Sequence, residues 1–376
     1  MTQAIKALFM RGSPDAVRRL EAAARKDLGV EVVAFGSARA ALATVLDAVA
    51  EPGARVLVPA YTCVAVPNAV QTAGHAVTWV DIDGPNIDLE RVAAVGRAGD
   101  VVIAQHTYGV PVDPAGIAEL RRRGVVVIED RAHRFDGLDL AGQAAVFSLE
   151  HSKVVSGGHG GLAWVEDPSI AARLRSARDD GLAVQASRDV HRILRTSAIQ
   201  RLLASRLVPR PIGSIGRRLA LRVAIFSEPG QSEAEIAGGD VDLVALHPAL
   251  AAVALPGVER AALNRSHRLW AVERYVERLG DLVPAWAVAG RPYVRMPIVV
   301  DDAAPVTARL RAAGLDPGPR WFDAPVHPTG SRSSYVPGSA PIAESLSRRI
   351  LSLPTHPLIR ADDIDEIARV ILSAPG

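Results

Sequence analysis

Lysine is the basic residue that this chain almost lacks. Of its 43 basic residues, only Lys6, Lys26 and Lys153 are lysines, and the other 40 are arginines. An exposed cation of ordinary function can be either residue, so a lysine that is retained in such a chain can mark a position where an amine is needed. The surroundings of Lys153 are the most informative of the three.

Cysteine, long apolar runs and net charge are also scarce, and each scarcity excludes a class of protein. The single cysteine, Cys63, rules out an internal disulfide and suits a reducing compartment. No charge-free apolar run reaches the roughly 18 residues of a transmembrane helix, and the first residues lack the features of a signal peptide. The formal charge of +2 creates no general attraction for nucleic acid. We therefore expect a cytoplasmic protein without a nucleic-acid partner, and its wealth of alanine and arginine is typical of GC-rich bacteria.

Helix-like and strand-like stretches alternate through the first half of the chain. Helical patterns over 15–29, 38–50, 68–74 and 114–124 are interleaved with short runs rich in valine and isoleucine. This rhythm predicts an α/β fold whose parallel sheet is covered by helices on both faces. Ligands of such sheets bind at the carboxyl ends of the strands. The polar residues that the pattern places there are Asp81, Asp83, His106, Asp130 and Ser148.

The second half has a different character. Residues 181–226 carry nine arginines and one aspartate, in a pattern of two basic helices interrupted at Pro209 and Pro211. A solvated helical excursion or a subunit contact is the simpler interpretation, and a membrane-surface or anion-binding patch is the alternative. We predict a large α/β domain over residues 1–240, with the arginine-rich stretch as an insertion, and a small α+β domain over residues 241–376.

Lys153 follows a short apolar strand, AAVFSL, and precedes the glycine-rich SGGHGG. Glycines let the backbone and a ligand approach each other closely. A lysine that forms a Schiff base cannot be replaced by arginine, because the guanidinium stays protonated. Retention by chance on a surface loop is the alternative, but the position at the end of a sheet strand favours chemistry.

Asp130 ends the buried strand VVVIED, where an unpaired carboxylate is costly. One explanation is a helix cap or an ion pair with Arg131 or Arg134. The other is a carboxylate that faces the protonated pyridine nitrogen of pyridoxal phosphate (PLP) and so keeps this cofactor an electron sink. Asp130 precedes Lys153 by 23 positions, on what the pattern predicts to be neighbouring strands.

A strand end that turns into a helix, FGSARAAL, supplies a third element. Ser37, Ala38 and Arg39 present backbone N–H groups at the start of that helix, where a phosphate can bind. A serine cap without any ligand is the alternative.

Together these segments resemble the DegT/DnrJ/EryC1/StrS family of sugar aminotransferases, which are fold type I PLP enzymes. The resemblance covers residues 30–180 and 315–372. The segments that carry it, in chain order, are VLVPAYTCVAVPNAVQTAGHAVTWVDID, VVIAQHTYGVPVD, VVVIEDRAH, FSLEHSKVVSGGHGG and PIAESLSRRILSLPTHPLI.

The resemblance implies a large domain with a mostly parallel seven-stranded sheet and a smaller C-terminal α+β domain. It assigns the Schiff base with PLP to Lys153, the pyridine nitrogen to Asp130, and phosphate-binding hydroxyls to Ser148 and Ser152. It also implies a homodimer with active sites at the interface. Glutamate or glutamine would donate an amino group to a keto substrate, commonly a nucleotide-linked sugar or a related cyclic ketone.

Four positions depart from the family pattern. Cys63 stands where an aromatic ring usually stacks on the cofactor, and His133 stands where a glutamine is usual. Ala38 and Arg39 replace the usual glycine and threonine of the phosphate turn. GGDVDLVAL occupies the place of the segment whose asparagine reaches the partner subunit's phosphate.

Further residues are candidates for contact with the substrate: His106, Tyr108, Arg320, Trp321 and His327. A satisfied strand-end histidine is an equally good explanation of His106, and packing between lobes is an equally good explanation of Trp321. The spacing of His151, His159 and His327 does not suggest a metal ligand set, so we expect no metal.

Three functions remain open from the sequence. The first is amino transfer to a keto sugar or a related cyclic ketone. The second is another PLP reaction, such as dehydration, decarboxylation or carbon–carbon bond formation. Lys153 argues against the dehydratase variant in which histidine replaces the lysine. The third is a regulatory protein without activity, which the intact Asp130 and Lys153 disfavour, and a dehydrogenase is weaker still because no G-x-G-x-x-G follows the first strand.

Overall fold

A computed structural model of the protein describes residues 13, 15–150, 152–155, 158–203, 236–315, 317 and 321–373. Its strands are β1 (Val33–Phe35), β2 (Arg55–Pro59), β3 (Thr62–Cys63), β4 (Ala76–Val80), β5 (Ile82–Asp83), β6 (Asn86–Ile87), β7 (Val101–Gln105), β8 (Val126–Asp130), β9 (Ala144–Ser148), β10 (Gly161–Val165), β11 (Ala183–Val184), β12 (Val244–Ala245), β13 (Arg295–Val299), β14 (Val326–His327) and β15 (Ile350–Pro354).

The helices are α1 (Ala16–Leu28), α2 (Ala38–Val49), α3 (Ala65–Thr72), α4 (Leu89–Val95), α5 (Pro114–Arg122), α6 (Pro168–Ser176), α7 (Ser187–Leu203), α8 (Pro248–Val258), α9 (Ala261–Leu279), α10 (Ala303–Ala312), α11 (Pro341–Arg349) and α12 (Ala361–Leu372). Among the described residues, no helix is both long enough and apolar enough to cross a membrane.

A seven-stranded sheet forms the centre of the fold, in the order β1-β10-β9-β8-β7-β2-β4. The strands from β9 to β4 are parallel to one another, and β10 is antiparallel to both of its neighbours. Alternate residues bury against helices on opposite faces: Val56 and Ile103 pack with α2 and α3, whereas Leu57 and Val102 pack with α4 and α5. This confirms the α/β class and the mostly parallel sheet.

The reversal at β10 is the part of the sheet that apolar periodicity did not predict. β10 returns between β9 and β1, and Gly161 pairs with both Phe35 and Ser148. A Cβ atom on Gly161 would lie 2.3 Å from the backbone nitrogen of Ala38, so only glycine allows β10 to pack on the turn before α2. The described residues 158–161 therefore bring the chain back across that turn.

A second hydrophobic cluster surrounds the antiparallel pair β13–β15, with α9, α10 and α12 packed around it. Met296, Ile298, Leu351 and Leu353 supply the buried face of the pair. Helix α8, although it follows residue 240, packs on α1 within the cluster that also contains Phe147 and Leu162. The domain boundary at 240 stays a prediction.

Only the first part of the arginine-rich stretch belongs to the described residues. There α7 buries Val190, Ile193 and Leu194 in the core cluster shared with α8. The part from residue 204 to 226, with Pro209 and Pro211, lies outside the described residues. The described part of α7 therefore packs on the body of the protein.

Asp81 follows β4 at the carboxyl end of the sheet, where the sequence pattern marked it as a candidate for chemistry. Its two carboxylate oxygens accept hydrogen bonds from the backbone N–H groups of Ile342 (3.1 Å) and Ala343 (3.0 Å), and Oδ1 also accepts from Ile82 (2.9 Å). Asp81 is buried, and it caps the N-terminus of α11 from a distant part of the chain. Its contacts therefore join the sheet to the C-terminal segment.

Replacing Asp81 should loosen this junction. Asp81→Ala leaves buried N–H groups at the start of α11 without an acceptor, and we expect a loss of about 1–3 kcal/mol in the free energy of unfolding. Asp81→Asn keeps one carbonyl oxygen and should lose less. Denaturant unfolding of the three proteins measures the order, and equal stabilities would contradict the capping role.

Candidate active site

The carboxyl ends of β8 and β9 bring the principal sequence candidates to one edge of the sheet. The two strands are parallel, with Asp130 paired in register with Val146. Asp130 ends β8 and Ser148 ends β9, and the chain reaches Lys153 five residues later. The predicted proximity of Asp130 and Lys153 thus arises from neighbouring parallel strands.

Lys153 lies among the residues expected around it. Its backbone N–H donates to the carbonyl of Glu150 (3.0 Å), and its Nζ lies 4.8 Å from the centre of the Trp321 ring. Its positive charge acts to lower the pKa of Asp130, Cys63 and His133. These three side chains therefore share one electrostatic environment with the amine.

Asp130 is buried beside this lysine. Burial raises the pKa of its carboxyl group, opposed by the hydrogen bond from the Ala132 N–H to Oδ1 (2.9 Å) and by the charge of Lys153. Arg131 and Arg134, which the sequence offered as ion-pair partners, instead both contact Asp136, at 3.2 and 2.7 Å. Neither arginine ion pair that the sequence offered is therefore found with Asp130, and the charge near it that lowers its pKa is that of Lys153.

His133 is held as a neutral ring. Burial lowers its pKa well below the usual value, and the charges of Lys153 and Arg295 lower it further. Nδ1 accepts a hydrogen bond from the backbone N–H of Tyr108 (3.0 Å), which assigns the ring proton to Nε2. His133 also stacks on Trp321, with ring centres 4.8 Å apart and planes 13° apart.

An aromatic group accompanies His133 and Trp321. Tyr108, whose hydroxyl lies 2.9 Å from that of Tyr61, packs edge-on against Phe322. Tyr108 has a φ of 59°, an unusual backbone conformation for a bulky residue. Its hydroxyl and backbone are both engaged by protein groups, so in this structure Tyr108 shapes the wall beneath His133.

Cys63 and His327 meet where the short strands β3 and β14 pair. The thiol is buried in the vicinity of Lys153, and burial raises its pKa. His327 is half-buried, and its Nδ1 lies 2.8 Å from Oδ1 of Asp323. The ring of Phe322 lies near both His327 and His133, with ring centres 6.0 and 5.8 Å apart, so it connects this strand pair to the aromatic group.

At the turn before α2, Ser37 caps the helix, and the binding of a phosphate there stays a prediction. Ser37 is buried and extended, and its Oγ accepts from the Ala40 N–H (3.1 Å). Arg39 lies in the first helical turn, 3.9 Å from Glu150, and the Glu150 N–H donates weakly to Oγ of Ser148 (3.4 Å). Glu150 therefore links the predicted phosphate turn to the loop that carries Lys153. We call residues 152–155 the lysine loop, and Ser152 in it is half-buried.

His106 lies in a separate buried network. Its Nε2 is 2.9 Å from Oε2 of Glu129, which also accepts from Nε of Arg131 (2.9 Å), while Oε1 of Glu129 accepts from two backbone N–H groups. Nδ1 of His106 accepts from the Val112 N–H (3.3 Å). The structure gives His106 these protein partners, and its role in substrate binding stays a prediction without a contact to support it.

Arg295 is a site residue that sequence reasoning missed. Its Cζ lies 4.8 Å from the centre of the Trp321 ring, and Nη1 donates to the carbonyls of Pro317 (3.1 Å) and Ser352 (3.2 Å). The signal available in the sequence was an arginine within the otherwise apolar stretch YVRMPIVV. Arg320 and His151 lie outside the described residues, and within the described residues no cluster of His, Cys, Asp and Glu is arranged to bind a metal.

The mostly parallel seven-stranded sheet and the family that the chain matches together identify a PLP-dependent aminotransferase of fold type I. The model of the DegT/DnrJ/EryC1/StrS aminotransferase family matches residues 2–372, and the chain belongs to that family.

Two relatives and one solved structure illustrate the similarity. The chain is similar to the UDP-N-acetyl-3-dehydro-alpha-D-glucosamine 3-aminotransferase of Acidithiobacillus ferrooxidans, with 28% identity over 333 residues; this match covers 85% of this chain and 77% of that protein. A shorter match is to the L-glutamine:2-deoxy-scyllo-inosose aminotransferase of Streptomyces kanamyceticus, with 32% identity; it covers 34% of this chain and 33% of that protein. A DegT DnrJ EryC1 StrS aminotransferase from Brucella abortus has the same fold, with a TM-score of 0.72 and 22% identity over 99% of this chain and 95% of that one.

Acid should destabilise the protein through His106. Burial lowers the pKa of this ring to about 4, whereas the unfolded chain takes up the proton near pH 6.5. Between these values the unfolded chain binds more protons than the folded one, so acidification favours unfolding. His106 alone should account for a loss on the order of 3 kcal/mol across this window, and His133, whose pKa burial also lowers, adds to it.

His106→Gln keeps a donor toward Glu129 without a titrating ring. Its free energy of unfolding should be lower near neutral pH but should fall less steeply toward pH 4. Denaturant unfolding of both proteins across this range tests the prediction, which parallel curves would contradict.

Proposed function

We propose that the protein binds PLP through Lys153 and transfers an amino group from glutamate or glutamine to the keto group of a nucleotide-linked sugar or a related cyclic ketone. The observation that carries the proposal is the meeting of Lys153 with the buried Asp130 and the neutral His133 at one sheet edge. The activities in the names of the two relatives, toward a nucleotide-linked amino sugar precursor and a cyclic ketone, support this choice of acceptor.

The residues present fit PLP at three points. Burial raises the pKa of Asp130, so a cationic partner such as a protonated pyridine nitrogen would stabilise the charged form of this carboxyl group. The Nε2–H of His133 can donate to a ring hydroxyl. The turn at Ser37–Arg39 supplies helix N–H groups for a phosphate, with Ser148 at the next strand end.

When bound, PLP supplies an electron sink that stabilises negative charge on the carbon next to the reacting nitrogen. Lys153 would hold the cofactor at rest and would move a proton with its Nζ when free of it. Asp130 would keep the pyridine nitrogen protonated, and Trp321, Tyr108 and Phe322 would exclude water from the side of the site that they cover.

Lys153 is a better guide than Cys63 to the choice between amino transfer and another PLP reaction. A thiol offers less stacking surface than an aromatic ring, and Trp321 is the aromatic side chain near the amine in this structure. The retained lysine could both hold the cofactor and transfer the proton, which amino transfer requires. The predicted homodimer with interfacial active sites and the roles of Arg39, Ser152 and His327 belong to this proposal.

Glutamate should convert the bound cofactor to its amine form. We expect the purified protein to show a near-visible absorption band that glutamate or glutamine abolishes and a keto substrate restores. Borohydride reduction of the resting protein, followed by peptide mass mapping, should fix the pyridoxyl mass on Lys153.

The controls separate the alternatives. Lys153→Arg retains the charge but not the amine nucleophile, and it should bind no reducible cofactor. A reducible band on Lys153 that glutamate and glutamine leave unchanged would favour another PLP reaction, and a protein that takes up no PLP would contradict the proposal.

Asp130→Asn should separate cofactor binding from catalysis. The amide keeps the size of the side chain but cannot hold the pyridine nitrogen protonated, so we expect the rate of cofactor conversion by glutamate to fall by about 100-fold or more. The reducible band on Lys153 should remain. Stopped-flow absorbance measures this rate, and a value near that of the wild type would refute the role assigned to Asp130.

A further inference from the structure

Two side chains of α9 grip the backbone of the lysine loop. Nη2 of Arg268 donates to the carbonyl of Lys153 (3.2 Å), and Nδ2 of Asn264 donates to the carbonyl of Val154. Asn264 and Arg268 are four residues apart and so lie on the same helical face. Nε of Arg268 donates to Oδ1 of Asn264 (3.1 Å), so the two grips form one unit.

The same guanidinium also holds the strand pair of the second cluster. Nη1 of Arg268 donates to the carbonyl of Val294 (2.7 Å) and to Oγ1 of Thr355 (2.9 Å). Val294 immediately precedes β13, and Thr355 immediately follows β15. Arg268 therefore joins the lysine loop to the residues that adjoin β13 and β15.

A charged group is expensive at this position. Arg268 is 3% exposed, and burial, together with the charge of Arg295, lowers its pKa to about 9. The four acceptors of its hydrogen bonds are carbonyl, amide and hydroxyl oxygens, all of them neutral. A planar fork can reach oxygens in several fixed directions at once, which a lysine ammonium on a flexible stem does not do.

The lysine loop is held from its other side as well. The N–H of Lys153 donates to Glu150, and the side chains of Val154 and Val155 are buried in the core. The backbone at Lys153 thus has a partner for both its N–H and its carbonyl. The side chain is then the part of the residue that can move.

We propose that Arg268, oriented by Asn264, is a positioning residue that fixes the main chain of Lys153 while its side chain changes place during the reaction. The inference rests on the proposed function, in which Lys153 first holds the cofactor and then carries a proton. Proton transfer requires the reacting atoms to approach within about 3–3.5 Å, so the pivot of the swinging side chain must stay in place.

Arg268→Lys tests the proposal because it keeps a cation and most of the volume but loses the fork. We expect the single-turnover rate of cofactor conversion by glutamate to fall at least about tenfold, because a small misplacement of a reacting group is costly. The affinity for glutamate should be unchanged, and the isotope effect with α-deuterated glutamate should rise because proton transfer becomes more rate-limiting.

A second readout does not depend on activity. In the cofactor-free protein, hydrogen–deuterium exchange of peptides covering residues 152–155 should be faster in Arg268→Lys than in the wild type. Asn264→Ala, which removes the grip on Val154, should produce the same change and serves where Arg268→Lys fails to fold.

Thr355→Val is the matched control. It removes another acceptor of the same guanidinium, in an equally buried place, without touching the lysine loop. It should lower stability while leaving the isotope effect and the exchange of residues 152–155 as in the wild type.

The outcomes separate this inference from the proposed function. A folded Arg268→Lys protein with wild-type rate and exchange overturns the positioning role, and so does a Thr355→Val protein that reproduces both changes. A wild-type protein that glutamate fails to convert contradicts the proposed function instead, and the exchange comparison then decides whether Arg268 holds the loop.

Discussion

The site depends on the hydrogen bonds and ion pair made by the carboxylate of Glu129, which is fully buried next to Asp130. Its two oxygens accept hydrogen bonds from Ala141 and Gly142 on one side, and they contact His106 and Arg131 on the other. Desolvation by burial opposes ionisation, but these partners hold the pKa of Glu129 down at about 2. The charged carboxylate closes the loop between β8 and β9, so that the chain re-enters the sheet beside the strand it has just left.

That closure sets the geometry of the chemistry. Because β8 and β9 are neighbours and parallel, Asp130 and the loop after Ser148 emerge at the same edge. The loop that Glu129 closes also carries His133, whose Nδ1 is engaged by Tyr108. The buried charge of Glu129 therefore helps to hold the loop that starts after Asp130 and carries His133, two groups whose pKa the charge of Lys153 lowers.

Sequence patterns predicted the fold class and the principal side chains because both depend on local features. Apolar runs marked six strands of the central sheet, and a lysine in an arginine-rich chain marked the amine. Strand β10 was missed because its place depends on the close approach of Gly161 to Ala38, a contact between residues far apart in the sequence. Helix α11 was missed for a similar reason, since Asp81 caps that helix from across the chain.

Within the site, the same distinction holds between local and long-range determinants. Asp130 could be recognised because a carboxylate at the end of an apolar strand is unusual by itself. Arg268 and Asn264 could not, because polar residues on a helix are ordinarily exposed, and only the fold shows that this face of α9 is buried against the lysine loop. Arg295 interrupted an apolar strand and so left a signal in the sequence, but its position beside Trp321 requires the fold.

The proposed roles of Lys153 and Arg268 explain why the chain has a different cation at each of the two positions. In the proposed reaction the side chain of Lys153 acts as a nucleophile and gives up a proton, which a guanidinium cannot do. At Arg268 the side chain must reach Lys153, Val294 and Thr355 from one buried point, which needs several N–H donors in fixed directions. In this proposal Lys153 supplies the reacting amine and Arg268 holds the main chain of Lys153 in place. Arginine at position 153 would therefore remove the amine, and lysine at position 268 would remove the hydrogen bonds that hold the main chain.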